Sequence, residues 1–142
     1  MMSHCPFCSL ESERDRTILT STLSHVILSN PRLLPGHTLV VPRRHVEHPR
    51  DLTEAELLDI FQQINIVRDR MLETIATGVD IRQNFRPFLV QSRVKVDHVH
   101  FHVIPRTHED DLYQKSMKFE HSIFDDLKED ERRQMFDLLT EK

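Results

Sequence analysis

Residues 96–106 of this chain read Val-Asp-His-Val-His-Phe-His-Val-Ile-Pro-Arg. Three histidines alternate with three apolar residues before a proline, a pattern with period two that predicts a half-buried strand. In such a strand the imidazoles share one face, where they are costly to bury and repel one another once protonated. A strand that needed only a polar face would use Thr, Lys or Glu, so we prefer a functional site to a solvated histidine-rich face. The run therefore predicts a site formed by His98, His100 and His102.

A row of three imidazoles supports two kinds of chemistry. Neutral rings are good ligands for a metal ion. Alternatively, one ring attacks an electrophile such as phosphorus while its neighbours stabilise the reacting group. The three rings alone do not choose between these sites.

The composition of the 142-residue chain limits the classes of partner. It has 19 Lys and Arg against 23 Asp and Glu, a net charge of −4, and no basic block. This argues against binding to a nucleic-acid backbone, but not against a nucleotide-sized ligand. No apolar stretch approaches the roughly 20 residues of a membrane span, and no signal-peptide pattern begins the sequence. We therefore expect no nucleic-acid or membrane partner.

The cysteine and glycine content adds two expectations. Two cysteines three positions apart do not make a disulfide framework, so a reducing cytoplasm is predicted. The only glycines, Gly36 and Gly78, exclude a glycine-rich phosphate-binding loop. The length suits one domain over 1–142.

The remaining secondary structure follows from apolar periodicity and turn residues. A long helix is predicted over 53–77, because Thr53 and Glu56 form a capping-box signature and Gly78 suits a helix C-terminus. Its core-facing stripe would be Leu57, Phe61, Ile64, Val67, Met71 and Ile75. The predicted strands cover 23–29, 37–42, 84–91 and 94–104. The expected fold is α+β, an antiparallel sheet with one long helix packed on it.

The C-terminal part, 107–142, is predicted to be an extension of this domain. Its final helix covers about 128–140, and the polar segment 107–122 is expected to be irregular or short helix.

Three motifs together resemble the histidine triad family. His-Val-His-Phe-His-Val-Ile at 98–104 is similar to that family's His-φ-His-φ-His-φ-φ pattern, in which φ is apolar. Residues 35–45, Pro-Gly-His-Thr-Leu-Val-Val-Pro-Arg-Arg-His, resemble its second signature. Cys5-Pro-Phe-Cys8 resembles the zinc-binding start of many bacterial members. The resemblance spans about 4–106 and implies the HIT-like fold.

The resemblance also implies an activity. The family's nucleophile is the middle histidine, here His100, which attacks the α-phosphate of a nucleoside polyphosphate or phosphoramidate. Water then resolves the nucleotidyl-histidine and releases a nucleoside monophosphate, with no catalytic metal required. His102 would stabilise charge on the phosphate, and a histidine there resembles the hydrolase branches rather than the transferases. The upstream His37 would complete the catalytic set with His98, either by supporting the triad or by assisting the leaving group. The alternative for His37 is a strand-entry residue after the Pro-Gly turn.

The cysteine pair has three interpretations. Thiolates two residues apart are half of a tetrahedral zinc site, and the zinc-bearing relatives imply His45 and His98 as the other ligands. His4 is a possible substitute ligand. A redox pair would follow a strand, for which the four residues before Cys5 leave no room, and free thiols are the third possibility. The zinc would be structural and would hold segment 1–22 against the sheet.

The chain departs from the family pattern in its nucleotide-binding positions. Ser29, with Asn30 beside it, replaces the acid that grips the ribose, and the glycine-glutamine segment before the triad is missing. Asn84 and Gln91 are therefore the candidate contacts to phosphate or ribose. Arg86 is expected near the edge of the site or in a surface salt bridge.

Three functions remain in competition at this point. The first is a nucleotide hydrolase with His100 as nucleophile. The second is a metal-activated-water hydrolase, which needs carboxylate ligands, and only Asp97 is close in sequence. The third is a nucleotide-binding or interaction module with little turnover. The family resemblance further implies a homodimer.

Overall fold

A computed structural model describes residues 5–140, apart from the side chains of Ser12 and Lys118. Five strands form one antiparallel sheet in the order β1-β2-β3-β5-β4. The strands are Thr17–Thr20 (β1), Ser24–Leu28 (β2), Thr38–Pro42 (β3), Gly78–Arg82 (β4) and Phe101–Arg106 (β5). The predicted α+β class is confirmed, as are the predicted strands at 23–29 and 37–42, whereas β1 was not predicted.

Three α-helices complete the described chain, with short 3-10 turns near the N-terminus and before the first helix. The α-helices are Glu54–Thr74 (α1), Asp111–Ile123 (α2) and Glu129–Thr140 (α3). The 3-10 turns are Pro6–Cys8, Leu10–Ser12, Arg14–Arg16 and Pro49–Asp51. Within residues 5–140, none of the helices combines the length and apolarity that crossing a membrane requires.

Helix α1 begins as its capping box predicts. The Thr53 hydroxyl accepts a hydrogen bond from the Glu56 amide at 3.1 Å, and the Glu56 carboxylate accepts one from the Thr53 amide at 3.0 Å. The helix ends at Thr74, before the predicted position, and Gly78 opens β4 instead of capping the helix.

The two faces of the sheet bury different apolar sets because side chains alternate along each strand. On one face Val26, Val40 and Val103 pack against α1. On the other face Ile27, Leu39 and Val41 pack against the N-terminal segment. That segment contributes Phe7 and Leu10, and therefore forms a second layer of core on this face of the sheet.

The core-facing stripe of α1 was predicted only in part. Ile64, Val67 and Met71 are buried as expected. However, the buried stripe continues through Glu56 and Ile60, whereas Leu57, Phe61 and Ile75 are exposed. The aliphatic part of Glu56 is accommodated because its carboxylate caps the helix and pairs with Arg44 at 2.7 Å.

The strand predicted over 84–91 is wrong. Pairing with β5 is made by Gly78–Arg82, and residues 83–90 form irregular structure. Pro87 cannot donate a ladder hydrogen bond, and Phe88 and Val90 are largely exposed, so neither pairing nor burial favours a strand there.

The strand predicted over 94–104 is also displaced, since β5 is Phe101–Arg106. Pairing with β3 stops at Val40 and Phe101. Beyond that pair, Pro42 has no N–H to donate and its carbonyl accepts from the His98 ring at 2.8 Å. Two of the triad histidines therefore lie in the segment that leads into β5, not in the strand.

The segment 107–122 is more regular than predicted. Helix α2 occupies Asp111–Ile123, and Asp110 caps it by accepting from the Tyr113 amide. The predicted C-terminal helix is confirmed as Glu129–Thr140.

Candidate active site and metal centre

The structure brings His37, His100 and His102 together at the junction of β3 and β5. His37 directly precedes β3, and His102 lies opposite Leu39 in the β3–β5 pairing. The His37 and His102 ring centroids are 5.1 Å apart, and those of His100 and His102 are 5.0 Å apart. A turn through Gly36, at φ 91°, returns the chain so that His37 points at the triad.

Hydrogen bonds assign the protons on His37 and His102. His37 Nδ1 accepts from the Leu33 amide at 3.0 Å, so in the neutral ring Nε2 carries the hydrogen. His37 Nε2 is 2.9 Å from His102 Nδ1, which must then accept. The hydrogen of His102 is therefore on Nε2, and this N–H remains as a donor for a ligand in the site.

His100 has the opposite arrangement. Its Nδ1 lies 2.7 Å from the His98 carbonyl oxygen, which can only accept, so Nδ1 carries the hydrogen. Nε2 of His100 consequently keeps a free lone pair. A nucleophilic nitrogen and a hydrogen-bond donor, on His100 and His102 respectively, are thus adjacent.

The rings are held in their neutral forms. Burial lowers the pKa of His37 to about 4, with Arg82 and then His100 adding repulsion. Burial lowers the pKa of His102 to about 3, with His100, His37 and Arg82 contributing in that order. Burial also lowers the pKa of His100. A neutral imidazole keeps its lone pair near neutral pH, which both metal binding and nucleophilic attack require.

Four potential metal ligands converge beside this site. The donor atoms of Cys5, Cys8, His45 and His98 all lie within 4.8 Å of one another. The Sγ–Nδ1 distances are 3.4 Å for Cys5–His98, 3.3 Å for Cys8–His45 and 3.7 Å for Cys8–His98. Tetrahedral zinc with ordinary bond lengths would separate sulfur and nitrogen ligands by about 3.6 Å. Two thiols and two imidazoles at this spacing fit zinc.

The outer contacts also suit a metal centre. His98 Nε2 donates to the Pro42 carbonyl at 2.8 Å, which leaves the Nδ1 lone pair directed at the cysteines. His45 Nε2 lies 3.6 Å from a carboxylate oxygen of Glu47. Burial, followed by the contact with Cys5, raises the pKa of the Cys8 thiol to about 11. A cation would supply the charge that favours its thiolate.

The candidate metal ligands and the catalytic candidate His100 share contacts through His98 and Phe7. His98 directs its ring to the cysteines and its carbonyl to His100. Phe7, buried between the two cysteines, packs edge-on against His98 at 5.8 Å and His100 at 5.2 Å between centroids. The N-terminal segment therefore fixes the orientation of the His100 ring.

The predicted nucleotide-binding residues have the following positions. The Ser29 amide donates to the His37 carbonyl at 2.8 Å, but the Ser29 hydroxyl is bonded to the Pro31 carbonyl. The side-chain oxygen of Asn30 accepts from Arg93 at 3.3 Å. Exposed Asn84 and Gln91 lie in the irregular segment before β5, where Gln91 accepts from the Asp97 amide. Their role toward a nucleotide stays a prediction, and His4 lies outside the described residues.

Two residues that the sequence reasoning missed contact or face the site. Phe7 could have been noticed as the apolar residue enclosed by the cysteine pair. Arg82 pairs with His102 across the β4–β5 ladder, a position hidden by the misplacement of the fourth strand.

Comparison with known proteins identifies the family and several relatives. The sequence model of the HIT domain covers residues 11–109. The asymmetrical bis(5'-nucleosyl)-tetraphosphatase of Schizosaccharomyces pombe is 34% identical over 59% of this chain and 45% of that protein. The bis(5'-adenosyl)-triphosphatase of Dictyostelium discoideum is 33% identical over 61% of this chain and 57% of that protein.

Among solved structures, a Zn-bound histidine triad family protein from Mycobacterium smegmatis is similar, with a TM-score of 0.65 and 27% identity. That match covers 76% of this chain and 78% of the other. This chain spans about half the length of the two named phosphatases. Since the family model matches more than half of the chain and the fold agrees with a solved member, this chain belongs to the HIT domain family.

Proposed function

We propose that this protein is a nucleotide hydrolase that cleaves a nucleoside polyphosphate or phosphoramidate at the α-phosphate through His100. The observation that carries the proposal is the hydrogen bond from His100 Nδ1 to the His98 carbonyl, which leaves Nε2 unprotonated. The similarity to proteins named as a tetraphosphatase and a triphosphatase supports this class of substrate.

The proposed reaction has two displacements. In the first, the His100 Nε2 lone pair forms a bond to the α-phosphorus, and the bond from phosphorus to the leaving group breaks with its electron pair. A phosphate leaving group departs as an anion, whereas an amine leaving group takes a proton from solvent as it departs. In the second, water attacks the same phosphorus, the phosphorus–nitrogen bond breaks, and a proton passes to solvent as the nucleoside monophosphate leaves. His102 Nε2–H donates to a non-bridging phosphate oxygen in both steps, where negative charge develops.

His37 positions this donor. Because His37 donates to His102 Nδ1, it keeps the His102 hydrogen on Nε2. The Leu33 amide in turn fixes the tautomer of His37. We therefore assign His37 a supporting role, in which it orders the site without touching the phosphorus.

Turnover by a substitution pair tests the proposal. Product formation from a nucleoside polyphosphate and from a nucleoside phosphoramidate is followed by chromatography for the wild type and His100→Asn. His48→Asn, at a partly exposed histidine that packs on Phe85, is the matched control. We expect a nucleoside monophosphate from wild type and His48→Asn but not from His100→Asn. Binding without turnover in wild type would instead favour the binding module, and undiminished turnover in His100→Asn would contradict the nucleophile.

We further propose that Cys5, Cys8, His45 and His98 hold a structural zinc ion. When bound, zinc would hold these ligands together and thereby tie the N-terminal segment to the sheet. Metal analysis of the purified protein should give one zinc per chain in wild type and His48→Asn, and a marked loss in Cys8→Ser and His45→Asn. Equal zinc content in all four proteins would contradict this ligand set.

A cytoplasmic location and a homodimer complete the proposal. The two cysteines are not joined in a disulfide, in keeping with a reducing compartment. Strand β4 is paired on one side only, which leaves a backbone edge available to a second copy. Light scattering during size-exclusion chromatography should give twice the chain mass of 16.9 kDa, and a single chain mass would contradict the dimer.

A further inference from the structure

Arg82, on the β4 side of the triad, has no role in the chemistry described above. Arg82 is the Cα partner of His102 in the antiparallel β4–β5 ladder. Side chains directly opposite each other in such a ladder lie on the same face, with Cβ atoms about 5 Å apart. Arg82 therefore lies on the same face of the sheet as the His102 ring.

The two sides of His102 differ in charge. The β3 side is closed by His37, a buried neutral ring that is bonded to His102. Arg82 lies on the β4 side, and the pKa of His102 is lowered by burial first, then by His100 and His37, and then by Arg82 and Arg86. Arg82 thus places a cation on the β4 side of the histidine that donates to the phosphate.

The ion pairs of Arg82 leave this charge incompletely neutralised. Arg82 lies 3.0 Å from Asp80, and both side chains are partly exposed. Asp80 is shared with the buried guanidinium of Arg106, which also pairs with Asp110 at 3.0 Å. Within residues 5–140, the side chain of Arg86 makes no ion pair of 4.0 Å or less. Asp80 therefore orients Arg82 without cancelling the positive charge of the β4 side.

We propose that Arg82 binds the first phosphate of the leaving group, next to the α-phosphate that His100 attacks. This proposal rests on the proposed hydrolase function. This protein then selects substrates whose leaving group is an anion, namely nucleoside polyphosphates, over phosphoramidates that release an uncharged amine. Nucleophilic displacement at phosphorus keeps the attacking and leaving atoms in line, so the leaving group extends away from His100. Arg82 stabilises the charge that this group gains as its bond to the α-phosphorus breaks.

Substrate preference tests the proposal with matched variants. The value of kcat/KM is measured for diadenosine tetraphosphate and for adenosine 5'-phosphoramidate in wild type, Arg82→Met and Arg82→Lys. Arg68→Met is the control, because Arg68 is also ion-paired to a nearby Asp at 3.0 Å but lies on α1, which packs on the opposite face.

We expect Arg82→Met to lower kcat/KM for the tetraphosphate about tenfold or more, the usual effect of losing a charged hydrogen bond. The phosphoramidate should change less than threefold, Arg82→Lys should fall between, and Arg68→Met should match wild type. The salt dependence of the tetraphosphate reaction should also become shallower in Arg82→Met. Equal losses for both substrates would place Arg82 at the α-phosphate instead, and no loss for either would overturn the proposal.

A binding measurement separates this proposal from the hydrolase proposal. In a His100→Ala background, where the nucleophile is absent, calorimetry gives the affinities for diadenosine tetraphosphate and for adenosine monophosphate. Adding Arg82→Met should raise the Kd for the tetraphosphate about tenfold and leave that for the monophosphate unchanged. This result would hold even if the wild type turned over neither substrate, whereas an unchanged tetraphosphate Kd would refute the role of Arg82.

Discussion

Replacement of His37 tests whether a neutral, buried ring controls the proton on His102. His37 is 3% exposed and joins the Leu33 amide to His102 Nδ1 through bonds of 3.0 and 2.9 Å. His37→Leu removes both bonds, whereas His37→Gln keeps an acceptor and a donor on one amide. Without the bond from His37, no other hydrogen bond among residues 5–140 favours the His102 Nε2–H tautomer, and this donor is lost for part of the time.

The expected losses of kcat and stability follow from the two hydrogen bonds of His37 and the one N–H donor of His102. Loss of one preorganised donor to a developing oxyanion lowers kcat about 10²–10³-fold, so His37→Leu should fall near this range. Two hydrogen bonds contribute about 1–3 kcal/mol together to the free energy of unfolding, so the melting temperature should fall by several degrees. His37→Gln should recover part of both losses.

Nitrogen-15 NMR of the imidazoles, beside steady-state kinetics, measures the effect directly. The wild type should show His102 protonated on Nε2, and His37→Leu should show a mixture of tautomers with reduced kcat. If His102 stayed in the Nε2–H form while kcat fell, the tautomer argument would be refuted. Unchanged kcat in His37→Leu would remove His37 from the mechanism.

Three further outcomes are expected. Gly36→Ala should destabilise the fold by about 2 kcal/mol in urea unfolding, because φ is 91° and the new Cβ would lie 2.7 Å from a side-chain carbon of Ile75. Gly78→Ala is the near-neutral control, because its new Cβ would lie 3.8 Å from the nearest atoms of Arg106. Phe7→Ala should lower the free energy of unfolding by about 3 kcal/mol and should lower kcat, because Phe7 packs on the His100 ring. Phe7→Leu should have smaller effects, and equal kcat in wild type and both variants would contradict the packing role. Stability should fall as the pH drops from 6.5 towards 4, because the rings of His37 and His102 stay neutral in the folded protein but are protonated in the unfolded chain. A smaller slope of stability against pH in His37→Gln checks this explanation.

The sequence predicted the parts of the fold that local chemistry controls. The α1 N-terminus followed from Thr53 and Glu56, whose side chains satisfy each other's amides whatever the tertiary structure. Strands β2 and β3 followed from apolar runs bounded by prolines. The position of β4 could not be predicted, because the run after Gly78 is short and mixed in polarity, and only pairing with β5 makes it a strand.

The candidate site could likewise be predicted only where local sequence motifs define it. The motifs were sufficient to nominate the three histidines of the triad, His37 and the cysteine pair, which the structure brings into two adjoining clusters. The tautomers were beyond the sequence, since they depend on the Leu33 amide and the His98 carbonyl. The position of Arg82 depends on ladder register, in which a shift of one residue would move its side chain to the opposite face.

Intact protein mass after rapid quenching without acid shows whether His100 is the nucleophile. The protein is mixed with a nucleoside phosphoramidate under single-turnover conditions, with wild type, His100→Ala and His102→Ala compared. We expect a mass increase of one nucleoside monophosphate on wild type and none on His100→Ala. Product formed by wild type with no adduct at any time, or an adduct that persists in His100→Ala, would contradict covalent catalysis at this histidine.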